Sequence, residues 1–259
     1  MNKQSFKESR RQQIATYIES NKEIKVDALS EMFGVSVATI RRDLNELARL
    51  GILNRVHGGA IKSEYIQLFG FAAFQLKEDL QREEKIAIGR YAAKVVKPRD
   101  TIYIGAGTTA FWVAKSLTSV APITVVTNSL PLANLLAGID SIELILVGGR
   151  LKRSEYTFVG EYGQLSVNNL HFNAVFLGMN GIHPEYGLTS SYPQELMTDR
   201  KFLSLGNNVI IVADHTKIGK VSAYKTGDIT AATKIITTQA APPDMVQGIR
   251  RKGVEVLLV

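Results

Sequence analysis

The sequence predicts an α/β protein of two domains, a small N-terminal domain and a larger one with a mainly parallel sheet. Its 259 residues are many for a single hydrophobic core and sufficient for two. Apolar residues in the first quarter of the chain recur at helical spacing, whereas from residue 83 strand-like and helix-like segments alternate, as in sheets with crossover helices. We place the domains at 1–62 and 83–259, with residues 63–82 as a linker that packs partly on the second domain.

The composition describes an ordinary globular protein, with 45% hydrophobic and 21% charged residues. The chain contains no cysteine, which excludes disulfides and thiolate metal sites and is typical of a reducing compartment. Apolar runs such as 209–213 are far shorter than the roughly 20 residues that cross a bilayer. We therefore expect a cytoplasmic protein without a cofactor, and the four widely spaced histidines predict no His-only metal cluster.

Positive charge is concentrated in the first domain. Residues 1–62 carry 11 Lys/Arg and 7 Asp/Glu, a net charge of +4, while residues 63–259 carry 20 and 17, a net charge of +3. A basic module attached to a nearly neutral one is the electrostatic footprint of a protein that binds a polyanion such as nucleic acid.

Three short helices are predicted in the first domain. Residues 9–20 have amphipathic periodicity, residues 26–33 form a second helix, and Gly34 supplies the permissive backbone of a tight turn. Ser36 stands where the third helix needs an N-cap, because its hydroxyl can accept a hydrogen bond from an unpaired amide of the first turn. The core-facing residues of that helix are Ile40, Leu44 and Leu47.

The outward face of the third helix carries side chains that suit the major groove of DNA. Arg contacts guanine or a phosphate, Asn pairs with adenine, and the methyls of Thr and Ala contact thymine. A strand, turn and return strand over residues 51–60 predict the wing of a winged helix-turn-helix, whereas the alternative is a helical bundle with a solvated Arg pair. The candidate DNA-binding residues are Ser36, Ala38, Thr39, Arg41, Arg42, Asn45, Arg55 and His57.

The spacing of these residues resembles a known family. The run Arg10-x3-Ile14-x3-Ile18 is followed by Ser36-x2-Thr39-Ile40-Arg41-Arg42-Asp43-Leu44, and then by Leu50-Gly51-Ile52-Leu53 and Val56-His57-Gly58-Gly59-Ala60. This pattern is similar to the helix-turn-helix and wing of the DeoR family of bacterial regulators. The resemblance implies DNA contact by Ser36, Thr39, Arg41 and Arg42, while Asp43 is expected to hold the Arg geometry rather than to touch a phosphate.

The second domain is predicted from seven strands and the helices between them. The strands are 101–104, 123–127, 143–147, 174–178, 208–213, 234–238 and 254–259. The helices are 83–96, 108–118, 130–137, 161–169, 193–205 and 243–251. In open α/β sheets, ligands bind beyond the carboxyl ends of the strands, so the residues after each strand outline a candidate site.

The loop after the first strand suits a phosphate. Gly105-Ala106-Gly107-Thr108-Thr109 opens a helix, where glycines admit an anion and the helix-start amides and two hydroxyls donate to it. Gly, Asn or charged residues also follow later strands. The candidate effector-binding residues are Gly105, Gly107, Thr108, Thr109, Asn128, Gly149, Asn180, Glu195, Asp214 and Lys217.

The second domain also resembles the DeoR family, whose sensor is similar in fold to ribose-5-phosphate isomerase and responds to phosphorylated sugars. The resemblance is carried by Gly107-Thr108-Thr109, Thr127-Asn128, Val147-Gly148-Gly149, Phe158-Val159-Gly160, the stretch 187–195 and Val212-Ala213-Asp214-x2-Lys217. It implies a homo-oligomer that binds repeated DNA half-sites and a phosphorylated sugar or polyol as effector. Gly107, Thr108 and Thr109 would hold the phosphate, Lys217 would complement its charge, and Asn128, Glu195 and Asp214 would bond hydroxyls. Many members have an acidic residue in place of Gly105, which leaves open whether water supplies one contact.

Two other functions compete with a regulator. Gly105-Ala106-Gly107-Thr108-Thr109-Ala110 fits a dinucleotide fingerprint, but the next strand ends in Thr127 and Asn128 rather than the acidic residue that a ribose requires. A sugar-phosphate isomerase would use Glu195, Asp214 and Lys217 as acid, base and clamp. A DNA-binding architectural protein would need none of the residues at the strand ends. The sequence therefore predicts a regulator rather than an enzyme, a repressor of a carbohydrate-utilisation operon.

Overall fold

The computed structural model describes residues 3–21, 23–49, 52–56, 58–62, 71–117, 120 and 122–259. The chain divides into two compact units, Met1–Leu80 and Gln81–Val259. Each unit has hydrophobic clusters of its own.

The first unit is a winged helix-turn-helix. Its helices are α1 (Lys3–Asn21), α2 (Val26–Phe33), α3 (Val37–Arg49) and α4 (Phe71–Asp79). Its strands are β1 (Glu23–Lys25), β2 (Leu53–Val56) and β3 (Gly59–Lys62), which form an antiparallel sheet in the order β1-β3-β2. The wing is the hairpin of β2 and β3, and β1 is a short strand that the sequence analysis did not predict.

The turn between α2 and α3 follows the predicted chemistry. Gly34 takes the left-handed conformation, with φ 60° and ψ 33°, which a residue with a side chain adopts at a cost. Ser36 accepts a hydrogen bond at its Oγ from the Thr39 amide at 3.3 Å, so it caps α3. The apolar residues of α3 are completely buried at Ile40, Leu44 and Leu47.

The segment between the predicted domains contains a helix of the first unit. Helix α4 lies against α1, and its Leu76 joins the hydrophobic cluster formed by α1, α2 and α3. We expected residues 63–82 to be a linker that packs partly on the second domain. The buried Phe74 and Leu76 explain the difference, because two apolar side chains in one helix need a core to cover them.

The second unit is built on a seven-stranded sheet in which every strand pair is parallel. The order is β15-β14-β12-β9-β4-β5-β6. The strands are β4 (Thr101–Ile104), β5 (Ile123–Thr127), β6 (Ile142–Leu146), β9 (Ala174–Leu177), β12 (Val209–Val212), β14 (Lys234–Thr237) and β15 (Glu255–Leu258). The helices are α5 (Arg82–Ala93), α6 (Thr108–Ser116), α7 (Leu130–Leu136), α8 (Glu161–Ser166), α9 (Pro193–Leu205) and α10 (Pro243–Arg251).

Both faces of this sheet are buried, as the continuous apolar strands predict. Ile102 and Ile104 join a cluster with residues of α5, α6 and α7. Tyr103, which points the opposite way, joins a second cluster with Phe202 of α9 and Ile249 of α10. The result is a three-layer arrangement of helices, sheet and helices. Within the described ranges, no helix is long and apolar enough to span a bilayer.

The chain order creates a topological switch between β4 and β9. From β4 the chain moves outward through β5 and β6, then returns to β9 on the other side of β4 and moves outward through β12, β14 and β15. The loops after β4 and β9 therefore diverge, and the crevice between them is where doubly wound sheets bind ligands.

Short antiparallel strands surround this crevice and were absent from the sequence prediction. A hairpin joins β7 (Arg150–Lys152) to β8 (Thr157–Val159), and a three-stranded sheet has the order β10-β11-β13. Its strands are β10 (Gly181–His183), β11 (Gly187–Ser190) and β13 (Tyr224–Gly227). Each has only three or four residues, too few for alternation to be recognised.

Candidate DNA-binding face and ligand site

The outward face of α3 is cationic and accessible. Ala38, Arg41, Arg42 and Asn45 are exposed, whereas Thr39 is half-buried because its hydroxyl lies 2.9 Å from the Oγ of Ser36. Among the described residues, neither arginine has an acidic partner. The guanidinium groups are therefore available to a phosphate or a guanine.

The carboxylate within this stretch points inward. Asp43 is 1% exposed and forms ion pairs at 2.7 Å with Arg10 and 2.8 Å with Arg11. We expected Asp43 to hold the geometry of the arginines, and those it contacts belong to α1 rather than to the outward face of α3. Arg11 has no position in the motif that we identified, so the sequence analysis missed it. The pairing neutralises Asp43 and leaves the face of α3 positive.

The wing contains two candidate DNA-binding residues, and one of them forms a hydrogen bond within the protein. Arg55 is half-buried, and its Nη1 donates to the carbonyl of Gly59 at 3.0 Å, which joins the two strands of the hairpin. His57 lies outside the described residues. Contact of either residue with DNA stays a prediction.

The loop after β4 has the form expected for an anion site. Gly107 has φ of +118°, and it stands immediately before α6, whose first amides lack intrahelical partners. Thr108 is half-buried and Thr109 is buried at that helix start. At Gly105 a side chain would collide with Leu177 of β9, because a Cβ would lie 2.9 Å from its Cδ2. The acidic residue of other family members therefore does not fit here without movement of Leu177.

Gly178 lies in the crevice between the diverging loops. A Cβ at this position would be 3.5 Å from the carbonyl oxygen of Ala106 and 4.0 Å from that of Val212. The absent side chain keeps open the space between the ends of β4 and β12. Strand spacing of about 4.8 Å separates these two ends by about 10 Å, the span of a small phosphorylated sugar. From the sequence, Gly178 was predicted only as the last residue of a strand.

Two candidate residues on the β4–β5–β6 side have structural roles. Asn128 is buried; its Oδ1 accepts from the Tyr103 hydroxyl at 2.8 Å and its Nδ2 donates to the carbonyl of Phe158 at 2.9 Å. One donor hydrogen and one acceptor lone pair then remain for a ligand. Gly149 has φ of +146°, and a Cβ there would lie 2.8 Å from the carbonyl oxygen of Val159. A side chain would therefore separate the strands of the β7–β8 hairpin.

Glu195 and Asn180 lie in a second part of the site. Glu195 accepts from the Lys152 Nζ at 2.7 Å and from the Ser190 hydroxyl at 3.3 Å. Asn180 accepts from the same hydroxyl at 3.3 Å, so Ser190 connects the two candidates. Lys152 also lies 3.5 Å from the ring centre of Tyr192. A cavity of about 360 Å³ adjoins this group, lined by Arg150, Lys152, Ser154, Val159, Tyr192 and Gln194.

Asp199 is a further acid near this group that the sequence analysis missed. It follows Glu195 by one turn of α9, so the i, i+4 spacing was the available signal. Burial raises the pKa of Asp199 well above its usual range; the nearby Glu195 raises it further, and Lys152 opposes the rise. Burial likewise raises the pKa of Tyr103, with contributions from Asp199 and Glu195.

Asp214 and Lys217 occupy the loop after β12. Asp214 is buried, and its Oδ1 accepts hydrogen bonds from the amide and the hydroxyl of Thr216. The Lys217 Nζ donates to the Thr216 hydroxyl at 3.0 Å and lies 3.9 Å from the Asp214 Oδ2. Asp214 thus shapes the turn, and Lys217 remains partly exposed as a cation beside the crevice.

Glu84, a residue of α5, holds this loop in place through hydrogen bonds. Its carboxylate accepts from the His215 Nδ1 at 2.7 Å, from the His215 amide at 3.2 Å and from the Thr238 hydroxyl at 2.7 Å. It thereby connects the ends of β12 and β14. Nothing in the sequence pattern separates Glu84 from the other charged residues at the start of its helix. In the part of the chain that the structure describes, no cluster of three metal-ligating side chains exists.

Known proteins match both units. The DeoR-like helix-turn-helix domain matches residues 10–64, and the DeoR C-terminal sensor domain matches residues 80–239. The chain is 34% identical over 230 residues to the lactose phosphotransferase system repressor of Streptococcus mutans, covering 87% of this chain and 90% of that protein. It is 31% identical over 225 residues to the glycerol-3-phosphate regulon repressor of Escherichia coli, covering 86% and 88%. A ribose-5-phosphate isomerase from Methanocaldococcus jannaschii aligns with a TM-score of 0.39 and 14% identity, covering 53% and 54%.

Proposed function

Because the chain belongs to the DeoR family of bacterial transcription regulators, we propose that it represses a carbohydrate operon. Binding of a phosphorylated sugar or polyol to the second unit would cause the protein to dissociate from its operator DNA. The relatives named above are repressors of a lactose phosphotransferase system and of a glycerol-3-phosphate regulon. Their names support a carbohydrate-related operon as the target.

The exposed arginine pair of α3 carries the DNA-binding part of the proposal. Arg41 and Arg42 project from the face opposite the buried Ile40, and the inward Asp43 leaves their charge uncompensated. A recognition helix reads base edges in the major groove and touches phosphates with its flanking residues. We assign base or phosphate contact to Ser36, Ala38, Thr39, Arg41, Arg42 and Asn45, with Arg55 and His57 in the wing.

The crevice between β4 and β9 supports the effector part. The Gly107 loop and the start of α6 would bind the phosphate, since helix-start amides are anion donors and two threonines stand at this helix start. Lys217, in the loop after β12 on the other side of β9, would bind a distal oxygen of the sugar. Hydroxyl groups between them would be bound by the remaining polar candidates, Asn128, Asn180, Glu195 and Asp214.

Regulation would follow from coupling between the two sites. We infer a homo-oligomer whose subunits are arranged differently when DNA is bound and when effector is bound. Each ligand would then lower the affinity of the protein for the other by the same factor. Couplings of this kind are typically about 1–3 kcal/mol, or about 5- to 150-fold in affinity. A symmetric oligomer would bind half-sites about one helical turn apart or a multiple of it.

The test is release of operator DNA by phosphorylated sugars and polyols. With wild-type protein on a labelled operator, one compound of this class should lower DNA affinity, whereas its unphosphorylated form should not. Thr108→Val should bind DNA normally and lose the response, because it removes a phosphate donor. Lys225→Gln, an exposed lysine that pairs with Asp228, is the matched control and should respond normally. A normal response of Thr108→Val would remove the β4 loop from the effector site.

A further inference from the structure

A second cavity lies between the C-terminal halves of α5 and α6, on the outer side of the helix layer. Its volume is about 620 Å³, within the range of small-molecule sites. Its lining residues combine apolar side chains with three cations and no acid: Ile86, Arg90, Ala93, Lys94, Trp112, Lys115, Ser116 and Val120. A concave surface with this charge attracts anions.

This cavity is separate from the strand-end crevice. Helix α6 begins beside the crevice at Thr108 and runs away from it, so Ser116 lies about 12 Å further along the helix axis at 1.5 Å per residue. Lys115 and Ser116 therefore lie about two helical turns from a ligand held by the Gly107 loop. A small anion bound here would be a second ligand rather than part of the proposed effector.

Trp112 lines the cavity and is packed tightly against α5. Its backbone lies against Gly89 of α5 so closely that a Cβ on residue 89 would be 2.4 Å from the Trp112 carbonyl oxygen. Two cations lie against the ring, with Lys115 Nζ 4.4 Å and Arg82 Cζ 5.5 Å from its centre. Such cation–π contacts place positive charge beside an aromatic wall without neutralising it.

The indole also carries an unsatisfied donor. Trp112 is 7% exposed, and its Nε1 has no hydrogen-bond partner among the residues that the structure describes. Buried N–H groups are nearly always paired, and Trp112 lines this cationic cavity, so its unpaired donor favours a ligand that supplies an oxygen acceptor. Arg90 and Lys94, which are exposed and form no ion pair with a described acid, provide the charge that such a ligand needs.

From these observations we propose that the cavity around Trp112 binds a small polyanion with two or more phosphate groups. One phosphate balances about two charges, whereas Arg90 and Lys94 line the cavity and Arg82 lies against the Trp112 ring, which gives three cations. A chain of two phosphates can bridge them. The proposal does not depend on which sugar the strand-end crevice binds. The two sites share no ligand-contacting residue, so a ligand in one site should not contact a ligand in the other.

The chain contains a single tryptophan, so its emission reports directly on this cavity. Full-length protein is titrated with inorganic pyrophosphate while Trp112 fluorescence is followed. We expect a saturable change in wild type and in Thr108→Val. The double variant Arg90→Gln/Lys94→Gln should weaken binding at least about tenfold, the ratio expected when a charge-assisted hydrogen bond is lost.

A charge-matched control distinguishes a specific pyrophosphate site from general attraction of the anion to a positively charged protein. Lys225→Gln/Lys252→Gln removes the same charge from exposed ion pairs elsewhere in the second unit and should bind pyrophosphate as wild type does. An equal loss in both double variants, or no saturable change in wild type, would overturn the proposal. Loss confined to Thr108→Val would assign pyrophosphate to the strand-end crevice. Saturation by random duplex DNA but not by pyrophosphate would make the cavity a nucleic-acid contact instead.

Discussion

The contact of Asp43 with Arg10 and Arg11 predicts that the helix-turn-helix depends on one buried carboxylate. Asp43→Asn removes the charge while keeping the size. The carboxylate is 1% exposed, and the arginine side chains are only 15% and 14% exposed, so water cannot replace it fully. Two hydrogen bonds to charged groups are worth about 1.5–3 kcal/mol each. Residual hydration of the arginines and the remaining amide oxygen reduce the sum, and we expect a loss of about 2–4 kcal/mol.

The first unit has about 80 residues and a stability of about 4–12 kcal/mol at ordinary values per residue. The variant should therefore unfold this unit at clearly lower urea concentration. Far-UV circular dichroism follows both units, whereas fluorescence of Trp112 follows the second unit only. The early transition should appear in circular dichroism and not in fluorescence.

The matched control is Arg49→Gln, which breaks an exposed ion pair with Glu46 on the same helix. It should leave both transitions unchanged, since exposed pairs contribute little. If Asp43→Asn unfolds at the same urea concentration as wild type, the ion pairs do not stabilise the unit and our reasoning on this residue is wrong.

Three further predictions concern single side chains. Arg42→Ala should weaken operator binding by about 1–3 kcal/mol if it reads a guanine, whereas an equal loss on every DNA sequence in fluorescence anisotropy would assign it to phosphate. Burial raises the pKa of Asp199, so the folded protein keeps a proton that the unfolded chain releases, and stability falls as pH rises above the ordinary aspartate value of about 3.9. Asp199→Asn should therefore raise the melting temperature at pH 7 and have less effect at pH 4; a lower melting temperature at pH 7 would contradict this. Glu84→Ala removes the acceptor of three hydrogen bonds and should cost about 1–3 kcal/mol in urea unfolding, while an unchanged midpoint would show that water replaces them.

Regular elements of the fold could be predicted because their residues repeat. Ile40, Leu44 and Leu47 marked the buried face of α3, and the strands of the parallel sheet are short apolar runs between helical segments. Gly34 and Ser36 marked the turn because each has a local backbone or capping reason. Such features act within a few residues of sequence, so no knowledge of distant contacts was needed.

Contacts between distant residues could not be predicted in the same way. Asp43 pairs with Arg10 across 33 positions, and Lys152 pairs with Glu195 across 43. Neither separation along the sequence corresponds to the repeat of a helix or a strand. Only the packed fold brings these side chains together. The same holds for α4, whose place on α1 depends on the core that covers Leu76. For Asn128, the sequence indicated a polar residue after a strand but not its hydrogen bond to Tyr103.

The most direct test of a DNA-reading regulator is selection of fragments of the host genome by full-length protein, followed by anisotropy on the enriched sequence. At physiological salt, the protein should bind the enriched sequence at least about a thousandfold more tightly than a scrambled duplex, as specific regulators do. Arg41→Ala/Arg42→Ala should lose this preference while remaining folded. Equal affinity of the wild-type protein for enriched and scrambled DNA would contradict the claim that the outward face of α3 reads an operator.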